Sequence, residues 1–234
     1  MHLQFKPLPL IAFFILALAM HELHESAHYF AAWLFCGCPG DRDFLVWRLC
    51  RTCTGKGPYL LASFAGPVVT NLFMWIGFYL MRPAAAVKQK TIGFALALAA
   101  LPLPRWMAAV GKGGDEIFTL RQVFTTQQHL AVLLGGVLVL LFTVPPLWRA
   151  LKLIKNRYAL LILTSFLIIP WMLDKLLIEK YFNGQLAASG LWMEPVYAGM
   201  PTIVVAWQII IIAALMMSMK YLKDLSAHPI IISR

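Results

Sequence analysis

The chain has 234 residues, 61% of them hydrophobic and 13% charged, with a mean hydropathy of +0.75 and a formal net charge of +10. That balance excludes an ordinary water-soluble domain, where charged residues make up about 25% of the chain. Membrane topology accounts for the excess of Lys and Arg, with no nucleic-acid partner required.

A hydrocarbon core takes about 20 apolar residues as helix, and only helices or closed barrels satisfy their backbone hydrogen bonds in lipid. Six continuous runs meet or nearly meet that length: 8–35, 59–81, 91–110, 130–151, 158–178 and 201–222. They predict an all-α, polytopic integral membrane protein forming one domain over 1–234, with core helices 1–3 in 1–128 and additional helices 4–6 in 129–234. The first run has neither the basic start nor the small-residue cleavage site of a secretory signal, so it is expected to be retained. Six crossings put both termini on one side of the bilayer. The segments there include Lys88, Lys90, Arg149, Lys152, Lys155, Arg157, Lys220 and Arg234, with Asp224 as their single acid. The bias of Lys and Arg in short loops makes that side cytoplasmic.

The first run contains His21-Glu22-Leu23-His24-Glu25-Ser26-Ala27-His28. Ionisable groups at membrane depth cost several kcal/mol unless paired or functional. A metal explains them. His24 and His28 are one helical turn apart and share a face, so both rings reach one Zn²⁺, while Glu25 serves as general base toward a water held there. Such a metal acidifies water and polarises a carbonyl, the chemistry of peptide hydrolysis. His21 lies on roughly the same face. Three ligands over two turns would strain one zinc, so His21 is expected beside the site or facing substrate, with a ligand role as the alternative. Glu22 points elsewhere and is expected to pair with a basic or polar group. The rival function for this cluster is a metal or proton relay in a transporter or channel.

The loop that follows holds Cys36, Cys38, Cys50 and Cys53, a CxC and a CxxC pair. Two disulfides, a structural zinc site or free thiols all fit this spacing. In the second run, Ala65-Gly66-Pro67-Val68-Val69-Thr70-Asn71 offers small residues for close helix packing. The third run includes Leu101-Pro102-Leu103-Pro104 and is followed by Gly113-Gly114-Asp115-Glu116, which as a local sequence reads as a polar turn. Runs four to six carry no motif; Asp174, Glu179 and His129 near their ends are expected to be interfacial.

HExxH inside a transmembrane helix, the Ala-Gly-Pro segment followed by Asn, and the Leu-Pro segment ahead of an acid resemble the site-2 protease family of intramembrane zinc metalloproteases. The resemblance covers roughly 12–116. It implies a three-helix catalytic core, Zn²⁺ as cofactor, and endopeptidase activity on transmembrane or membrane-associated peptide segments. It also implies an aspartate as third ligand, for which Asp115 is the counterpart and Glu116 the substitute. Asn71 would help hold the substrate backbone; it stands one residue later than the commonest spacing, so Thr70 shares or takes that role. Two departures concern the acid, which lies farther from the Leu-Pro segment than is usual and has no Gly after it. Depth is consistent: His24 is about 24 Å along the helix from Leu8 at 1.5 Å per residue, near the end that the third helix also reaches. The family holds its zinc nearer the cytoplasm, which argues for reduced cysteines, whereas the basic turn over 149–157 places the cysteine loop outside and argues for disulfides.

Overall fold

The computed structural model describes residues 1–53 and 56–226. Arg234, counted above among the cytoplasmic charges, lies outside them. Among the described residues, six helical spans are long and apolar enough to cross a membrane: Pro7–Cys36, Gly57–Leu80, Val87–Val110, Gln128–Leu153, Ala159–Ala187 and Thr202–Leu225. The chain is an all-α, multi-pass membrane protein.

Helix α1 (Pro7–Cys36) opens on Pro7, at a position whose N–H has no helical partner, and closes at Gly37 with φ 69°, where the Gly37 N–H caps Trp33 O. Outside its polar turns over 21–28 its apolar residues lie on every side, and it packs against α2 (Lys56–Leu80), α3 (Val87–Ala99), α7 (Ala159–Asp174) and α8 (Thr202–Leu222). Ala12, Phe13, Leu16, Ala17 and Met20 are buried in one cluster with Phe94, Leu147 and Phe166 of other helices. This packing fixes the rotation of α1, and so decides which way its polar turns face.

After α1 the chain forms a short antiparallel hairpin, β1 (Asp41–Arg42) with β2 (Trp47–Arg48). Disulfides Cys36–Cys53 and Cys38–Cys50 tie it to the helix end. Of the three cysteine states left open by spacing, the disulfide one holds, and no thiolate remains there for a structural zinc.

The third run is not one helix. α3 stops at Ala99, Leu101 takes a left-handed φ of 54°, and α4 (Pro102–Val110) begins at once. Pro102 disfavours helical geometry at the residue before it, and neither Pro102 nor Pro104 has an N–H to continue the ladder. Lys112 at φ 57° and Gly114 at φ 91° then turn the chain into α5 (Asp115–Val123). Asp115 therefore sits in the first turn of a new helix; the glycine-rich stretch supplies the turn before it. Next come α6 (Gln128–Leu153) and α7, which runs past its expected end into a π-helical segment, Lys175–Ala187. A second hairpin, β3 (Pro195–Tyr197) with β4 (Met200–Pro201), touches the first and leads into α8. At the opposite end of the bundle, Leu3 pairs with Ser226, and the Ser226 hydroxyl lies 2.6 Å from Thr91 Oγ1.

Candidate metal centre

His24, His28 and Asp115 converge. His24 Nε2 lies 3.0 Å from Asp115 Oδ2, His28 Nε2 lies 3.5 Å from the same oxygen, and the two Nε2 atoms are 3.0 Å apart. A tetrahedral ion with ligands at 2.0–2.1 Å separates them from one another by about 3.3–3.4 Å. Among the described residues this is the one group of His, Cys, Asp or Glu side chains with metal-binding proximity.

The hydrogen bonds behind the rings decide what these atoms are. His28 Nδ1 is 2.7 Å from Ala62 O, a pure acceptor, so Nδ1 carries the hydrogen and Nε2 presents a lone pair. His24 Nδ1 is 3.4 Å from Thr70 Oγ1, whose own hydroxyl is donated to Gly66 O at 2.9 Å. Thr70 thus offers an acceptor to His24 Nδ1, and with the hydrogen there Nε2 is free to ligate. Two imidazole lone pairs and a carboxylate face each other, an arrangement that a cation at their centre turns from repulsion into binding.

Gly66 completes the fit. A Cβ there would lie 2.8 Å from His24 Nε2 and closer still to His28 Nε2, so only a hydrogen fits between α2 and the ligands. On another side, the Trp47 indole stacks on His28 with centroids 5.3 Å apart and planes 13° from parallel. The remaining side opens on a cavity of about 440 Å³, whose walls include His21, Glu25, Arg105, Glu116, Trp171 and Asp174. The Asp115 side chain keeps 40% of its surface exposed, so the triad is reached from there.

The other expected residues are placed as follows. Glu25 is on the cavity wall, on the same helix as both histidines. His21 is no ligand: Nδ1 points to Asp174 Oδ1 at 3.0 Å and Nε2 to Phe44 O at 3.3 Å. Glu116 is no ligand either, since it pairs with Arg105 at 3.4 Å; burial raises its carboxyl and Arg105 draws it back. Thr70 backs His24, while Asn71 Oδ1 accepts from Arg105 at 2.8 Å. Glu22 pairs with Arg42 at 2.6 Å and accepts from Gln208 at 2.9 Å. Asp174, expected at the membrane interface, is instead drawn inward to His21.

No family model, curated protein or solved structure matches this chain.

The residues that sequence did not single out are Ala62, Gly66 in its contact with the rings, Trp47 and Arg105. Only Arg105 announces itself, as a lone cation inside an apolar run.

Proposed function

We propose that this chain is an intramembrane zinc metalloprotease of the site-2 protease kind, acting on transmembrane or membrane-associated peptide segments. One observation carries the reading: His24 Nε2, His28 Nε2 and Asp115 Oδ2 converge at 3.0–3.5 Å, with an acceptor behind each ring, Thr70 Oγ1 at His24 Nδ1 and Ala62 O at His28 Nδ1. Two imidazoles and a carboxylate with one open side are the donor set of catalytic zinc. When bound, the ion supplies Lewis acidity, lowering the pKa of water and polarising the scissile carbonyl. The protein's own groups do the rest. Glu25 takes the proton from the attacking water and passes it to the leaving amine. The cavity admits that water, and Trp47 shields His28 from the other side.

The distribution of polar groups on α1 favours hydrolysis over conduction. A relay needs its groups in line, whereas His21 is spent on Asp174 and Phe44 O, and Glu22 on Arg42 and Gln208. The disulfide loop and the metal centre share one end of the bundle. Since disulfides persist in oxidising compartments, we place that end outside the cytoplasm and both termini inside, in line with the Lys and Arg bias.

Glu25→Gln is the decisive variant. Detergent-purified protein should keep stoichiometric zinc while cleavage of a reconstituted transmembrane peptide falls about 10²–10⁴-fold, the usual share of general acid–base catalysis. Chelation should abolish cleavage of the same peptide in wild type, and added Zn²⁺ should restore it. Undiminished cleavage by Glu25→Gln, or liposome metal flux that survives as the principal activity, defeats the protease reading.

A further inference from the structure

Arg105 is a full positive charge on α4, in a membrane-spanning run, with its side chain 9% exposed. A cation at such depth is retained where it has a function and partners. One guanidinium nitrogen donates to Asn71 Oδ1 at 2.8 Å and faces Glu116 Oε1 at 3.4 Å. The other faces Pro67 O at 3.4 Å and donates to Thr70 Oγ1. One planar fork thus joins α4 to α2 and to the first turn of α5.

Each branch reaches a residue next to a candidate ligand, Thr70 behind His24 and Glu116 beside Asp115. Thr70 Oγ1 offers an acceptor to His24 Nδ1, and its own hydroxyl is directed at Gly66 O. Arg105 fills one lone pair of that oxygen, so with the hydroxyl hydrogen on Gly66 O the lone pair that remains is the one facing His24 Nδ1. Were Thr70 to donate instead, the His24 hydrogen would move to Nε2 and the ring would no longer ligate. On the second branch, Glu116 is the neighbour of Asp115, so the pair with Arg105 holds the start of α5 where the carboxylate meets the histidines.

We propose that Arg105 is the positioning residue of the metal centre, fixing Thr70 as the acceptor behind His24 and the first turn of α5 beneath Asp115. This rests on the metal-centre reading above.

The test is metal binding by full-length protein in detergent, with Zn²⁺ affinity from chelator competition and Co²⁺ absorption as the report on ligand geometry. Arg105→Gln should weaken Zn²⁺ about 10–100-fold, the usual effect of removing a group that orients a ligand, and should shift the Co²⁺ bands. Arg105→Lys keeps the charge but not the fork and should not restore either. Thr70→Val should weaken Zn²⁺ on its own, and Arg105→Gln with Thr70→Val should lose less than the two losses combined, because both act through one chain. Wild-type affinity and an unchanged Co²⁺ spectrum in Arg105→Gln overturn the proposal, as do full rescue by Arg105→Lys or strictly multiplicative losses in the double variant. Should Arg105→Gln fail to fold, Thr70→Val alone decides, and wild-type affinity there overturns it. Wild-type protein that takes up neither ion sinks the metal reading itself, a result distinct from all of these.

Discussion

Position 66 shows how narrow the residue-scale tolerance is. Ala is about 1 kcal/mol better than Gly within a helix, so by propensity Gly66→Ala should strengthen α2. Its methyl, however, would occupy the space beside His24 and His28 Nε2. We expect Gly66→Ala to retain helical circular dichroism while bound zinc, measured by elemental analysis, falls toward zero; a variant with full zinc would show that the ligands sit elsewhere. The histidines and Glu25 were legible in the sequence because lipid makes every polar residue on α1 demand a reason. Asp115 was legible only through the family resemblance, since Gly-Gly-Asp-Glu by itself is a turn. Ala62 O and the bare Cα of Gly66 left no trace, because backbone atoms have no side-chain signature and a small residue in a membrane helix has a sufficient reason in packing.

Among the elements, the first hairpin is held by more than its disulfides. Arg42 reaches α1 with its side chain fully buried, and its pair with Glu22, 6% exposed, is joined by Gln208 of α8. Removing one member of a buried ion pair costs about 3–5 kcal/mol, whereas replacing both by neutral groups of similar size costs far less. Arg42→Ala should therefore lower unfolding stability in detergent by that amount, and Glu22→Gln with Arg42→Met should recover most of it. Equal losses in the single and the double variant would show that the pair is not the hairpin's anchor. The sequence indicated a partner for Glu22 but not its source, because nothing local says that a loop residue folds back beside the helix. Hydropathy likewise found the third run and missed its break at Leu101: a window average registers composition, while the break comes from two prolines and one left-handed residue. The π-helical extension of α7 escaped for the same reason.

For the molecule as a whole, lipid made the number of crossings legible, since each needs its own apolar run. Sidedness rests on weaker forces, a charge bias and the state of four cysteines. With termini inside and the disulfide loop outside, an alkaline phosphatase fused after the last residue should be inactive and a fluorescent protein there should glow; the reverse pattern turns the molecule over. Closing a 15-residue loop is worth about 3 kcal/mol in the chain-entropy account, and Cys36–Cys53 and Cys38–Cys50 span 17 and 12 positions. Reductant should therefore lower the unfolding temperature and speed zinc loss to a chelator, because the freed loop carries Trp47 away from His28. That indole also gives the protein a built-in optical gauge. Of eight tryptophans, Trp47 is the one stacked against a ring of the triad. An open-shell ion such as Co²⁺ lodged behind that ring should dim its emission at once, and the dimming should vanish in Trp47→Phe, so that filling of the centre can be followed in real time without any label.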